Sequence, residues 1–198
     1  MNFSELKTWT IRVIAIAMSL YHLYTGAFGV FDAVIQRTLH LGFAAALIVL
    51  LYPAPFSAGR FGAIFSRAVT FIVFAAAFLP LGYLFLNFEY FTAGRIQFVS
   101  DVTLLEGIYG IALILAILEL TRRVTGPVLP AITMVFLAFP FIPNLPGVLG
   151  HTGYALSESI EIQYLTLAGI FGVPVAASAN FVILFIIFGA FLERSGLG

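Results

Sequence analysis

Residues 113–132 read LILAILELTRRVTGPVLPAI. An apolar run ends in Glu119, Arg122 and Arg123, and the pair Gly126 and Pro127 opens a second apolar run. Charge is scarce enough here for such a cluster to be informative. Charged residues make up 9% of the 198-residue chain and apolar residues 62%, with a mean hydropathy of +1.10. A soluble domain has about a quarter of its residues charged. The apolar stretches are continuous, whereas the strands of a membrane barrel would alternate. The composition therefore predicts an all-α, polytopic transmembrane protein.

The charges mark the ends of the spans, because a crossing needs about 20 mostly apolar residues. Arg12 and Asp32 bound the first charge-free interval. Arg37 and Arg60 bound the second, which closes early at the turn made by Tyr52, Pro53 and Pro55. Arg67 and Glu89 bound the third. The fourth covers residues 102–120, with Glu106 near its start; the fifth covers 127–142 and the last 174–192. Six hydrophobic segments result, of which the fifth is the shortest. The first stretch follows Lys7 and Arg12 as a signal peptide would, yet it is long enough to span and holds Tyr21, His22 and Tyr24. It reads as an uncleaved span.

Lysine and arginine set the orientation. With the N-terminus in the cytoplasm, Lys7, Arg12, Arg60, Arg67, Arg122, Arg123 and Arg194 fall inside, and only Arg37 and Arg95 fall outside. Seven of the nine positive charges then share one side. Arg122 and Arg123 also suit the negative end of the fourth helix's dipole, and Gly126 and Pro127 close that helix and start the next.

Residues 139–173 break the pattern. Pro140, Pro143 and Pro146 stand three apart, which ends a helix and favours an extended turn. In the following ALSESIEIQYLTLAGIFG, residues Leu156, Ile160, Tyr164, Leu167 and Phe171 recur at helical spacing, interrupted by Leu165. Glu158 and Glu161 fall largely on the other side. The reading is one amphipathic helix lying in the outer interface, with both glutamates in water. Gly172 and Pro174 then break the chain before the last span.

Few residues could carry chemistry. His22 sits near the middle of the first span, where an ionisable group is either functional or a neutral partner of a neighbouring helix. Glu106 either reaches the interface or is a buried, proton-binding carboxylate. Glu119 and Arg123 are four apart in the favourable order for a structural ion pair. Ser178 and Asn180 lie among Ala176, Ala177 and Ala179; small residues favour close helix packing, while an interrupted helix start can expose backbone to ions and substrates. The chain has no cysteine and its net charge is zero, so disulfides, thiol chemistry and nucleic acid are not expected. No nucleotide loop, HExxH motif or serine nucleophile setting occurs. An enzyme of membrane lipids and a small channel remain as alternatives. The first would need convergent polar groups at one interface, where Asp32, Arg37, His40, Glu89, Arg95, Asp101 and His151 offer scattered ones. The second would need a pore lined by repeated polar positions.

Three stretches go further. LYTGAFGVFDAVIQRTLHLGFAAALIVLLYP (residues 23–53) resembles the opening of the fused membrane component of TRAP transporters, of the TAXI type. LELTRRVTGPVLPAI (118–132) resembles that family's fourth helix and the linker after it. GIFGVPVAASANFVILFIIFGAFLERSG (169–196) resembles the start of its large part. The resemblance implies three regions: a four-helix scaffold over 1–125, a linker helix and Pro-rich outer loop over 126–152, and an arm-like helix plus the first helix of the large part over 153–198. A fused family chain continues well beyond Gly198, so the resemblance also implies a fragment or one piece of a split permease.

It implies a function as well. The partners are an extracytoplasmic binding protein that delivers an organic acid and a large permease part that carries it across the bilayer. A sodium or proton gradient drives the import; no cofactor or metal is involved, and the chain is no enzyme. The location is the bacterial or archaeal cytoplasmic membrane. Substrate-binding residues are expected beyond residue 198.

Overall fold

A computed structural model describes residues 2–54, 59–144 and 146–196, with the backbone alone at residues 3, 59 and 60. The turn residue Pro55 and the Arg60 side chain thus lie outside the described residues. Helix α1 spans Phe3–Phe28 and opens with a local cap, the Glu5 carboxylate accepting the Asn2 N–H at 2.9 Å. It stops at Gly29, whose φ of 108° is open to glycine and strained for other residues. Asp32 then accepts the Val34 N–H at 2.8 Å and caps α2 (Ala33–Leu51). So short a connection makes α1 and α2 antiparallel neighbours. Helix α3 covers Gly59–Leu86 and α4 covers Leu104–Thr125. Thr103 and Glu106 cap α4 reciprocally, and Gly126, at φ 82°, ends it.

Among the described residues, five helices are long and apolar enough to cross a bilayer: Ser4–Phe28, Ala33–Leu51, Phe61–Leu86, Leu104–Thr125 and Val173–Ser195. The sequence suggested six such segments, and the fifth of these falls short. Its helix α5 (Val128–Ala138) continues as a 3₁₀ turn over Phe139–Phe141 and stops there. At 1.5 Å per residue, Val128–Phe141 is about 21 Å long, against about 30 Å of hydrocarbon. Pro140 and Pro143 prevent the extension.

Helix α2 is central: α1, α3, α4 and the last long helix all pack on it, and α3 also packs along α4. Where α2, α3 and α4 meet, Ala45, Ala77 and Ala116 are fully buried beside Val49, Val73 and Leu120. Small side chains let helix backbones approach closely, which substitutes for a hydrophobic drive inside lipid. A second core joins Leu81, Leu84, Phe91 and Leu113 to Tyr164, Leu165 and Phe171 from the later segment. The outward faces stay apolar, with Phe61 91%, Leu86 82% and Phe185 73% exposed. Such continuous apolar exposure does not suit water.

The segment after the Pro-rich loop departs from a regular amphipathic helix. Helix α6 (Leu156–Ile160) widens into a π turn over Glu161–Leu165, and the chain leaves helical geometry at Thr166. It packs on α4, where a Cβ placed on Gly110 would lie 2.6 Å from Ile160 Cγ2. Leu165, which interrupted the sequence pattern, is buried, whereas Leu156 and Leu167 are exposed. Glu161, expected in water beside Glu158, is 5% exposed and Glu158 is exposed. The final long helix comprises α7 (Val173–Ala177), a π turn over Ser178–Val182 and α8 (Ile183–Ser195).

The bundle gathers its basic residues at one end. Arg123, at the end of α4, donates to the Tyr52 carbonyl at the end of α2. The first turns of α1 and α3 share that end by alternation, which brings Lys7, Arg12 and Arg67 there, and the last turn of α8 brings Arg194. Glu119 receives Arg122 Nε at 2.7 Å and Arg123 Nε at 2.9 Å. The Arg12 guanidinium stands 5.9 Å over the Trp9 ring. Arg37 and Arg95 are at the opposite end.

Candidate functional site

Polar residues on two apolar helices build one internal chain. Gln36 and His40 are four apart on α2, and His22 and Thr25 are three apart on α1, so each pair shares a helix face. Those faces meet. His22 is fully buried and His40 is 7% exposed. His22 Nδ1 lies 2.7 Å from the Met18 carbonyl oxygen, one turn back on its own helix. His22 Nε2 lies 2.9 Å from His40 Nδ1, and His40 Nε2 lies 3.0 Å from Ser178 Oγ on the last long helix. Beside this line, Tyr21 donates its hydroxyl to Gln36 Oε1 at 2.7 Å, and Gln36 Nε2 donates to Thr25 Oγ1 at 3.3 Å and to the Ala179 carbonyl at 3.5 Å. Three helices are thereby tied through side chains that would be costly to leave unpaired in an apolar interior.

The π turn over Ser178–Val182 faces this network through Ser178 and Ala179, which bond His40 and Gln36. Such turns insert a residue into a helix and re-aim side chains. Asn180, two residues on, takes no part: its Oδ1 is buried without a hydrogen-bond partner among the described residues.

A second buried cluster sits at the Arg95 end. The Arg95 side chain is fully buried, 3.4 Å from Glu106 and 3.3 Å from Glu161. Its guanidinium also donates to the carbonyls of Ser100 (2.9 Å) and Asp101 (3.2 Å). Glu106 is fully buried and accepts from the Thr103 N–H at 2.8 Å and hydroxyl at 2.9 Å. Glu161 accepts the Phe98 N–H at 2.8 Å. One arginine therefore joins the loop before α4, α4 itself and the π turn after α6. Nearby, the Tyr164 hydroxyl donates to the Pro80 carbonyl of α3 at 2.8 Å, and Arg37 donates to the Phe171 carbonyl.

Of the residues singled out in the sequence, His22 and Ser178 come together, Glu106 joins Arg95, and Glu119 pairs with Arg123. His40, Gln36, Thr25, Arg95 and Glu161 were missed as partners. The signal for two of them was present, since Gln36 and His40 recur at helical spacing within an apolar helix. The two larger crevices between helices are mainly apolar, while a smaller one of about 230 Å³ is lined by Asp32, Thr92, Gln97 and Thr166 beside Leu84, Phe91 and Phe171. One of about 390 Å³ lies among α4, α5 and α6, lined by Ile111, Leu115, Leu137, Phe141 and Ile160. Another of about 490 Å³ lies between α1 and α3 over Gly42 and Ala46 of α2. Among the described residues, no group of three or more histidine or acidic side chains could hold a metal ion.

Among the described residues, fold and interior define an all-helical protein with five helices of membrane-crossing length, joined by two buried polar clusters. No known family model matches the chain, and no curated protein or solved structure matches it.

Proposed function

We propose that the chain is the scaffold portion of the membrane component of a TRAP-type secondary transporter of the TAXI kind. It sits in a bacterial or archaeal cytoplasmic membrane with its N-terminus inside. With a large permease part and an extracytoplasmic binding protein, it serves the uptake of organic acids on a sodium or proton gradient. The likeness of residues 23–53, 118–132 and 169–196 to the family, in the family's order, supports the assignment.

One observation favours bracing over translocation. Most buried polar side chains of the bundle bond one another across helices, and the two larger crevices between helices are lined mainly by apolar residues and hold no charged side chain. Such an interior holds helices in register and offers an organic anion little to bind. Neither alternative gains from it. The polar groups considered for a lipid enzyme do not converge, since Arg95 is buried with Glu106 and Glu161 while His40 lies inside the bundle. A continuous polar lining, which a channel requires, is not formed by the two separate clusters.

The test is uptake by the assembled system. Co-reconstituted with the large permease part and the binding protein, the chain supports gradient-driven accumulation of an organic acid, and omission of the chain abolishes it. Undiminished uptake without it, a single-channel conductance from the chain alone, or turnover of a phospholipid overturns the reading.

A further inference from the structure

The histidine chain has a direction. The Met18 carbonyl oxygen can only accept, so His22 Nδ1 must carry the hydrogen. In a neutral ring, His22 Nε2 is then an acceptor, and His40 Nδ1 must donate to it. By the same rule His40 Nε2 accepts, and the Ser178 hydroxyl donates. One hydrogen pattern alone satisfies all three contacts of the neutral chain, and it puts both histidines in the Nδ1–H tautomer.

An added proton meets a different situation at each end. At Met18 it has nowhere to go, because the carbonyl is already the terminal acceptor and carries no exchangeable hydrogen. At Ser178 the hydroxyl hydrogen can rotate away, which frees His40 Nε2 to take the proton. The ring then becomes an imidazolium with both nitrogens donating, Nδ1 to His22 and Nε2 to Ser178 Oγ. A second proton is excluded, because two fully protonated rings would point N–H at N–H across 2.9 Å. The pair thus holds one proton and cannot conduct it.

We infer that the His22–His40 pair is a binding site for a single proton, filled from the Ser178 side and closed at Met18. No heavy-atom bond changes. The proton rests on the pair, and Ser178 turns from donor to acceptor. A charge-assisted bond then replaces a neutral one between α2 and the last long helix, so the proton tightens the tie. The site is a property of this chain and does not depend on the transport reading.

The surroundings leave the pair as the titrating unit. On α1, Tyr21 sets its ring edge-on to His22 at 5.0 Å and bonds Gln36. On α2, Arg37 is directed to the Phe171 carbonyl. Tyr83 of α3 packs on Phe91 and Tyr109, and Glu106 of α4 is held by Arg95 and Thr103. The last long helix brings Ser178 and Asn180, both uncharged. Neither histidine has an ion-pair partner among the described residues.

Nitrogen-15 NMR of histidine-labelled protein in lipid nanodiscs tests this as pH is lowered. The chain has three histidines, so His151→Gln isolates the signals of the pair. The expected result is a hydrogen on Nδ1 and a bare Nε2 in both rings at neutral pH, then uptake of one proton by the pair with one shared midpoint. Ser178→Ala, a mild change that keeps the helix, should retain the tautomers and lower that midpoint by about half to one pH unit, since the charged state loses the stronger bond. An Nε2–H tautomer in either ring, two separate midpoints, a midpoint indifferent to Ser178→Ala, or rings that stay neutral until the protein unfolds would each overturn the inference.

Discussion

Arg95 is a single cation facing two carboxylates, and all three side chains are buried. The loss of either sign has unequal consequences. Arg95→Met leaves Glu106 and Glu161 without their shared counter-charge and should cost about 3–5 kcal/mol, the range for breaking a buried ionic pair from one side. Glu161→Gln leaves a one-to-one pair, and its amide oxygen still accepts the Phe98 N–H, so its cost should stay within about 1 kcal/mol. Thermal unfolding in detergent separates the two; equal losses would mean that the cluster's charge balance is not what holds it. Glu161 also shows why its burial was hard to read. A constant helical period put it on the water side with Glu158. Glu161 still follows α6 at helical spacing, its burial coming from Arg95 and the Phe98 N–H in the loop before α4, while the wider turn that starts there brings Leu165 inward and leaves Leu167 out. Nothing in the residue types announces such a turn.

Helix crossings depend on absent atoms as much as on present ones. Gly110 is where α6 lies against α4, and an added Cβ there would meet Ile160 Cγ2 at 2.6 Å. Both elements are held from elsewhere, α4 by α3 and α6 by the bond from Tyr164 to Pro80, so neither can retreat freely. Gly110→Ala should therefore destabilise by about 1–3 kcal/mol, the usual cost of overpacking. Gly110→Ala combined with Ile160→Ala should recover part of it, a non-additivity that a double-mutant cycle in detergent would read. Additive losses would sink the explanation. The five long helices were legible because their charge-free intervals are long and their caps are local: Asp32, Thr103 with Glu106, Gly126. The fifth segment was apolar enough to resemble a span, yet hydropathy reports the preference for lipid and says nothing of where Pro140 and Pro143 stop the helix. The histidine chain was half legible. Helical spacing grouped Gln36 with His40 and His22 with Thr25, but which faces meet across helices is decided by the whole packing arrangement.

The whole molecule has two testable properties, its sidedness and its dependence on partners. The bundle alternates direction, and among the described side chains six of eight positive charges fall at the end where Arg123 meets Tyr52. On the membrane reading that end is cytoplasmic. The chain has no cysteine, so single cysteines report accessibility directly. Asn87→Cys should label with an impermeant reagent added to intact cells and Thr125→Cys should not; both residues are exposed. The reverse pattern would invert the topology. Dependence on partners follows from the interior. Most polar groups inside the bundle are tied to one another, and the two large crevices are lined mainly by Ile, Leu, Val and Phe, with Ser159 and Gln163 in one and Thr38 in the other. An organic anion entering such a crevice would lose its hydration and gain no cation, only a hydroxyl or amide donor, which is costly in an apolar medium. The chain by itself should therefore move no organic acid. Reconstituted alone in liposomes with an inward sodium or proton gradient and a loaded binding protein outside, it should give accumulation no greater than protein-free liposomes do. Accumulation that collapses when the gradient is dissipated would show that the anion's path lies within these helices, and the bracing role would have to be abandoned.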